Sequence, residues 1–282
     1  MRVLVTGAGG FVGGHIANRL QAQAHEVTGT IRRTKAEGNF SVERCDLSKA
    51  WNIDGEFDVI VHTAGSLPYR DKAFESFYLN NVVVMQNLIR FALGHGIKRI
   101  VYLSTIGVHG EIRDAVLTEE SDKINPDPYG LTKYVAECML RAENRLQSIS
   151  LRLPGIIGEG CRGVWLSNVV EKFLKHETVE IYSPDFKTKN FVWIDDLSCF
   201  IGRLLETDDW RYDLINVACS RSNAIRELVS EIKHLTKSKS QIIINDGIRK
   251  SFCIDASRAI EMGYESLTPL EIVEKYCETV MR

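Results

Sequence analysis

The sequence predicts an α/β chain: a doubly wound parallel sheet with a smaller C-terminal lobe. Three observations predict it. Short runs with almost no alternation recur through the first half: Val3-Leu4-Val5, Asp58 to His62 and Ile100 to Leu103. Strands that are apolar on both faces read this way when helices cover both sides of a sheet. Helically spaced stretches near 75–94 and 129–146 separate those runs. Finally, the first run passes through a glycine cluster into a pattern with Ile16, Ala17 and Leu20 on one face, which reads as strand, tight turn, helix. Such alternation belongs to a parallel sheet covered by helices.

Taken in order, a second strand fits Glu26 to Ile31, ending in Arg32-Arg33, and another fits Ile149 to Leu153. After Pro154 the rhythm changes. A helix is expected over Val164 to His176, strands over Glu180 to Tyr182 and Phe191 to Ile194, and a helix over Asp196 to Glu206. Leu214 to Ala218 is expected to return to the main sheet. The remainder reads as a helix near 223–237, a strand near 241–245 and helices near 255–262 and 268–281. The 282 residues suit two domains at ~150 residues each. The expected division is a first domain over 1–158 with returning segments near 190–220, and a second lobe built from 159–189 and 221–282. No repeat of 20–50 residues and no low-complexity linker interrupts this plan.

Composition excludes several function classes. Lys and Arg total 35 against 37 Asp and Glu, a net charge of −2, so nothing favours a nucleic-acid partner or an acidic membrane surface. No run approaches the ~18 apolar residues of a membrane span, and the N-terminal apolar run is too short for a signal-peptide core. Seven cysteines, odd in number and without a C-x-x-C, argue for reduced thiols over a disulfide framework or a zinc site. The expectation is a soluble cytoplasmic protein with no metal.

The chemistry begins at Thr6 to Gly13, which carries G-x-x-G-x-x-G at Gly7, Gly10 and Gly13. The first glycine permits a tight turn, the second lets a pyrophosphate approach the backbone, and the third lets the helix pack on the strand. The helix opening at Phe11 and Val12 offers free N–H groups and partial positive charge to phosphate. This is a Rossmann-type dinucleotide site. An acid at the end of the second strand would hold the ribose hydroxyls of NAD. Arg32 and Arg33 stand there instead, with Lys35 close behind. Guanidinium forks suit a 2′-phosphate, so NADP(H) is favoured over NAD(H).

Tyr129 and Lys133 form Y-x-x-x-K at the start of a helical stretch. Positions i and i+4 share a helix face, and an ammonium beside a phenol favours phenolate. The phenol becomes a usable proton donor or acceptor for interconverting an alcohol and a ketone. Hydroxyls at Ser104 and Thr105 end the Ile100–Leu103 strand, where open α/β sheets bind ligands.

Together these residues resemble the extended short-chain dehydrogenase/reductase superfamily, in its NAD-dependent epimerase/dehydratase branch. The resemblance also covers Cys45-Asp46-Leu47, Val59 to Ala64, Asn81-Val82, Leu151 to Gly158 and Phe191 to Asp196. It implies a catalytic triad of Thr105, Tyr129 and Lys133. It places Asp46, with Leu47, at the adenine, and the main chain near Ala64 and from Pro154 to Ile157 beside the nicotinamide. Lys133 is expected on the nicotinamide ribose, and Asn168 near the nucleotide diphosphate of a substrate. His109 replaces the tyrosine of the family's V-Y-G and is either a substrate contact or a packed loop residue. Ile106 and Gly107 replace the Asp-Glu pair of sugar-nucleotide 4,6-dehydratases, which argues against dehydration. Gly107 also stands where GDP-fucose synthase-like enzymes carry a cysteine.

The resemblance implies a nucleotide-sugar substrate. The first reading is an NADPH-dependent keto-sugar reductase. The alternative is a sugar-nucleotide C4 epimerase with tightly bound NAD, and a non-catalytic dinucleotide-binding protein stands third. Surplus apolar residues on the 81–94 and 129–146 stretches, Val82 and Met139 among them, suggest a homodimer through these helices.

Overall fold

The computed structural model describes residues 1–68, 73–245 and 252–282. Its seven-stranded sheet is formed by β1 (Arg2–Thr6), β2 (Glu26–Ile31), β3 (Ser41–Arg44), β4 (Val59–His62), β5 (Arg99–Thr105), β6 (Gln147–Leu153) and β7 (Leu214–Asn216). The order across the sheet is β7-β6-β5-β4-β1-β2-β3. From β3 to β6 the strands pair in parallel, with Thr6 opposite His62, His62 opposite Tyr102 and Thr105 opposite Leu153. The chain winds outward from β1 through β3 and then returns to place β4 on the other side of β1. That reversal opens a crevice at the carboxyl ends of β1 and β4, where such sheets take ligands.

The inner strands are buried as their apolar runs require: all four residues of β4 are buried. All four residues of β3 are exposed, so hydrophobic patterning gives no sign of this edge strand. Helix α1 (Phe11–Ala22) buries Ile16, Ala17 and Leu20 on the predicted face. The helix expected near 75–94 is a continuous run of α2 (Phe74–Phe77), a π-helical turn (Tyr78–Val83) and α3 (Val84–Gly94). The π turn carries Asn81, a buried side chain fixed at both ends. Its Oδ1 accepts from Ser66 N at 3.1 Å and its Nδ2 donates to Thr132 Oγ1 at 2.9 Å. Thr132 lies on α4 (Pro128–Ala142), which starts at an Asp127 side-chain cap followed by a proline. Leu4, Ile60, Met85, Leu88, Ile100, Tyr102, Ala136 and Leu140 share one core, which clamps α3 and α4 onto the sheet.

The chain divides into two compact units: residues 1–111, 122–153 and 197–215 form the first, and 112–121, 154–196 and 216–282 the second. Sequence patterning assigns 112–121 to the first domain. In the structure this segment belongs to the second unit, because its short strand Val116–Leu117 pairs with Cys253–Ile254. Nothing local signals a partner that distant. The second unit also pairs Gly155–Ile157 with Phe191–Trp193 and Val179–Tyr182 with Ile242–Asn245. Its helix α5 (Trp165–Leu174) buries Leu166, Val169, Val170 and Phe173. All seven cysteines are free thiols. Among the described residues, no helix is long and apolar enough to cross a membrane.

Candidate active site

The turn after β1 has the geometry of a phosphate cradle. A Cβ on Gly13 would overlap the Gly7 carbonyl, so α1 can sit this close to β1 only with glycine there. A Cβ on Gly10 would sit 3.3 Å from the Gly7 carbonyl, a tight contact but not the overlap found at Gly13. Gly10 is the N-cap of α1, contributes no side-chain cap, and no acid occupies the first turn. Phe11, Val12 and Gly13 therefore begin a helix whose first N–H groups remain available to an anion.

Beside this turn, Thr6 Oγ1 accepts from the main-chain N–H of Thr63 and of Ala64, at 3.2 and 3.3 Å. Its own proton is then the one shared with His62 Nδ1, 2.7 Å away. Burial, reinforced by the nearby charge of Lys133, pushes the His62 imidazolium down to about 3. His62 is thus a neutral strut that fixes the β4 end and, with it, Ala64.

The edge of the site toward β3 is basic. Arg32 and Arg33 are exposed at the end of β2. Arg32 donates to Asn80 Oδ1 at 3.1 Å, and Arg44 Nη1 donates to the Arg32 carbonyl at 3.3 Å. Asp46 follows β3 with one carboxylate oxygen taken up by the Ser48 hydroxyl and amide, at 2.8 and 3.2 Å. These hydrogen bonds, and then the charges of Arg32 and Lys49, hold it below the usual carboxylate range. Leu47 is buried, and its carbonyl anchors the Trp51 indole at 2.9 Å.

Thr105, Tyr129 and Lys133 all lie in the first unit, at the carboxyl end of β5 and the start of α4. Thr105 Oγ1 accepts from Gly107 N at 3.1 Å, which caps the 3₁₀ turn Ile106–His109 and leaves the O–H to donate outward. A Cβ on Gly130 would overlap the Gly107 carbonyl, so the helix bearing Tyr129 presses directly on that turn. Tyr129 is half-buried, its ring 5.9 Å from that of Phe77. Lys133 is buried, donates to the Leu103 carbonyl at 2.6 Å and lies 4.4 Å over the Tyr102 ring. Desolvation brings its ammonium down to about 7 from 10.5, with Glu137 acting in the opposite sense.

Behind the triad lies a buried polar set that sequence patterning does not anticipate. Glu137 Oε1 accepts from Ser104 Oγ at 2.5 Å. Arg152 engages both oxygens of Glu137, through Nε at 3.1 Å and Nη2 at 2.7 Å. The third arm of Arg152, Nη1, meets His109 Nε2 at 3.1 Å. A guanidinium only donates, so His109 Nε2 accepts and its Nδ1–H donates to the Asp122 carbonyl, 3.1 Å away. His109 is therefore a neutral, fully buried loop residue with both ring nitrogens engaged. Of the two roles expected for it, substrate contact gives way to packing. One signal was available: an arginine in the middle of Ile149–Leu153, otherwise a strand for the interior of a sheet.

The remaining expected residues, Pro154, Ile157 and Asn168, belong to the second unit. Pro154 is half-buried and Ile157 buried where the Gly155–Ile157 strand begins and ends, and Asn168 is exposed on α5.

Comparison with known proteins gives this geometry a context. The chain is 27% identical to a protein of Methanocaldococcus jannaschii provisionally named as a UDP-glucose 4-epimerase, over 93% of this chain and 92% of that one. It is 24% identical to the UDP-glucose 4-epimerase of Caenorhabditis elegans, over 96% and 95%. Among solved structures, UDP-glucuronic acid 4-epimerase from Bacillus cereus, in complex with NAD, superposes with a TM-score of 0.84 at 22% identity, covering 100% of this chain and 99% of that one. That similarity establishes the shared Rossmann-type fold. The pattern of glycine turn, strand-end threonine and Tyr-Lys helix falls inside residues 3–218, the span over which the sequence matches the NAD dependent epimerase/dehydratase family, and the chain belongs to that family.

Proposed function

We propose that this protein is a UDP-sugar 4-epimerase that keeps its dinucleotide bound through the cycle. The observation that carries the reading is the convergence of Thr105, Tyr129 and Lys133 with the glycine turn in one compact unit. The 4-epimerase relatives spanning nearly the whole chain support it over the reductase expected first. The second unit, with Asn168 on α5, would receive the nucleotide part of the substrate.

In this reading a bound dinucleotide would supply reversible hydride transfer at the sugar C4. The protein's part is positioning and proton transfer. The α1 N-terminus and Gly7 to Gly13 would hold the pyrophosphate, Asp46 and Leu47 the adenine, and Lys133 the ribose. Ala64 of the first unit is assigned to the nicotinamide side, and the family resemblance assigns Pro154 and Ile157 of the second unit the same role. Thr105 donates to the C4 oxygen, and Tyr129 removes its proton and later gives it back. Retention of the dinucleotide makes the reaction redox-neutral. Incubation with UDP-glucose or UDP-glucuronic acid, followed by proton NMR, should reveal the C4 epimer without added NADH or NADPH. Stoichiometric NADPH consumption with a 4-keto sugar and no epimer would replace this reading with the reductase.

We assign NAD as the resident dinucleotide, in line with the NAD-bound neighbour. Arg32 and Arg33 are the feature that opposes the assignment, since their charge suits a 2′-phosphate. Mass spectrometry of the dinucleotide released by heating the purified protein decides between them. NAD is expected, and recovery of NADP would transfer the assignment to Arg32 and Arg33. Replacing both with Ala should leave NAD content nearly unchanged.

A homodimer through α3 and α4 is also proposed. Leu131, Val135 and Cys138 are exposed along one face of α4, and Tyr78 and Leu79 are exposed in the π turn. Isologous pairing of such faces is the commonest oligomer type. Met139 packs against the core, so Val135→Glu is the clean probe. Light scattering should give a dimer for the parent and a folded monomer for the variant. A monomeric parent at micromolar concentration would refute the proposal.

A further inference from the structure

We propose that Glu137 is the built-in counter-charge of Lys133, and that Ser104 and Arg152 hold its carboxylate so that it acts on the lysine without capturing it. The inference rests on the catalytic reading of Lys133 and adds a positioning residue to it.

The geometry is specific. Glu137 follows Lys133 by one turn of α4, so both side chains leave the same helix face. They reach neighbouring residues of β5: Lys133 Nζ donates to the Leu103 carbonyl, and Glu137 Oε1 accepts from Ser104 Oγ. Glu137 is 2% exposed, Lys133 5% and Arg152 0%. A carboxylate with free lone pairs at this depth would bind the ammonium directly and hold it away from any ligand. Here Ser104 Oγ and the two-pronged Arg152 contact take three of its roughly four acceptor positions, two on Oε1 and one on Oε2. His109 Nε2 is a neutral acceptor for Arg152 Nη1.

Lys133 needs such a partner because, among the described residues, the other groups facing it supply no negative charge. From β4 comes neutral His62, from β5 the ring of Tyr102, whose burial raises its phenol, and from α4 Tyr129 and Glu137. Desolvation alone would drive Lys133 toward the amine. Arg152 adds a second cation, and Glu137 offsets both.

The sign of each effect follows. The working form of Lys133 is the ammonium, present below its pKa and lost as pH rises through it. Glu137→Gln removes the anion and leaves the Arg152 charge, so the pKa should fall by about one unit or more. Arg152→Met leaves the Glu137 charge unshared, so the pKa should rise. Loss of packing would not move the two variants in opposite directions.

The test is an NMR titration of Lys133 in the full-length protein with ¹³Cε-labelled lysine, its signal identified by loss in Lys133→Met. The parent should titrate near neutrality, Glu137→Gln lower and Arg152→Met higher. The neutral pair Glu137→Gln/Arg152→Met keeps the test available if a single variant does not fold, and it should also titrate below the parent. An unchanged Lys133 titration in folded Glu137→Gln or in the double variant overturns the proposal, as do shifts of the two single variants in the same direction. If Lys133 is catalytic, the alkaline limb of kcat/KM moves to lower pH in Glu137→Gln, with a roughly tenfold greater loss at pH 8 than in the parent for a one-unit shift. Because the titration reads ionisation and not turnover, it stands even if no sugar is epimerised. Epimerisation with an unmoved titration would defeat this proposal alone.

Discussion

Replacing Tyr129 with Phe is expected to leave the dinucleotide bound and to lower turnover by about 10²–10⁴-fold, the usual worth of proton transfer by a positioned group. The ring would keep its place against Phe77, 5.9 Å away, and the helix start is capped by Asp127, so the fold has no reason to change. The substitution removes the transferable proton. Absorbance of the purified variant should show its dinucleotide in parental amount, while NMR of UDP-glucose mixtures shows almost no epimer. Turnover within a few-fold of the parent would mean that another group carries the proton. Thr105→Ala should be milder, because it removes an orienting donor and leaves the acid–base pair intact.

The largest stability effect is expected from Arg152→Met. The side chain is fully buried and supplies two hydrogen bonds to Glu137. Removing one partner of a buried ion pair leaves the other charged and unpaired, at a cost of about 3–5 kcal/mol. For a chain of this size that should lower Tm by roughly 5–8 °C. Replacing both partners removes the orphaned charge, so the Glu137→Gln/Arg152→Met protein should recover most of the loss. Calorimetry of the two variants checks this, and a double variant no more stable than the single one would mean that the pair matters through shape and not charge.

Elements governed by local chemistry were legible in the sequence. β1, β4 and β5 are buried on both faces and read as unbroken apolar runs. Gly13 and the Tyr129–Lys133 spacing express contacts made within one turn of chain or helix. What escaped is what depends on distant partners. β3 pairs along an exposed edge and carries no apolar signature. The π turn at Tyr78–Val83 interrupts the α-helical hydrogen bonding within a stretch that composition alone reads as one helix. Val116–Leu117 finds its partner strand at Cys253–Ile254, and the role of His109 is fixed by Arg152 and Asp122, neither near it in sequence. Cofactor choice divides the indications differently. Arg32 and Arg33 speak through their charge, whereas the NAD reading comes from related proteins and not from the end of β2.

The alternation of the chain between its two units bears on how the protein is made. The polypeptide leaves the first unit at residue 112, returns at 122, leaves at 154 and returns once more at 197. β7, at the end of that last visit, borders β6. During synthesis, β6 therefore waits with an open hydrogen-bonding edge while some sixty more residues are added. A nascent chain stalled in that interval, or a recombinant fragment ending near 158, would present an apolar edge of the kind that recruits other chains. The first unit is continuous in space but not in the gene, and the natural order of translation makes the finished sheet a late event.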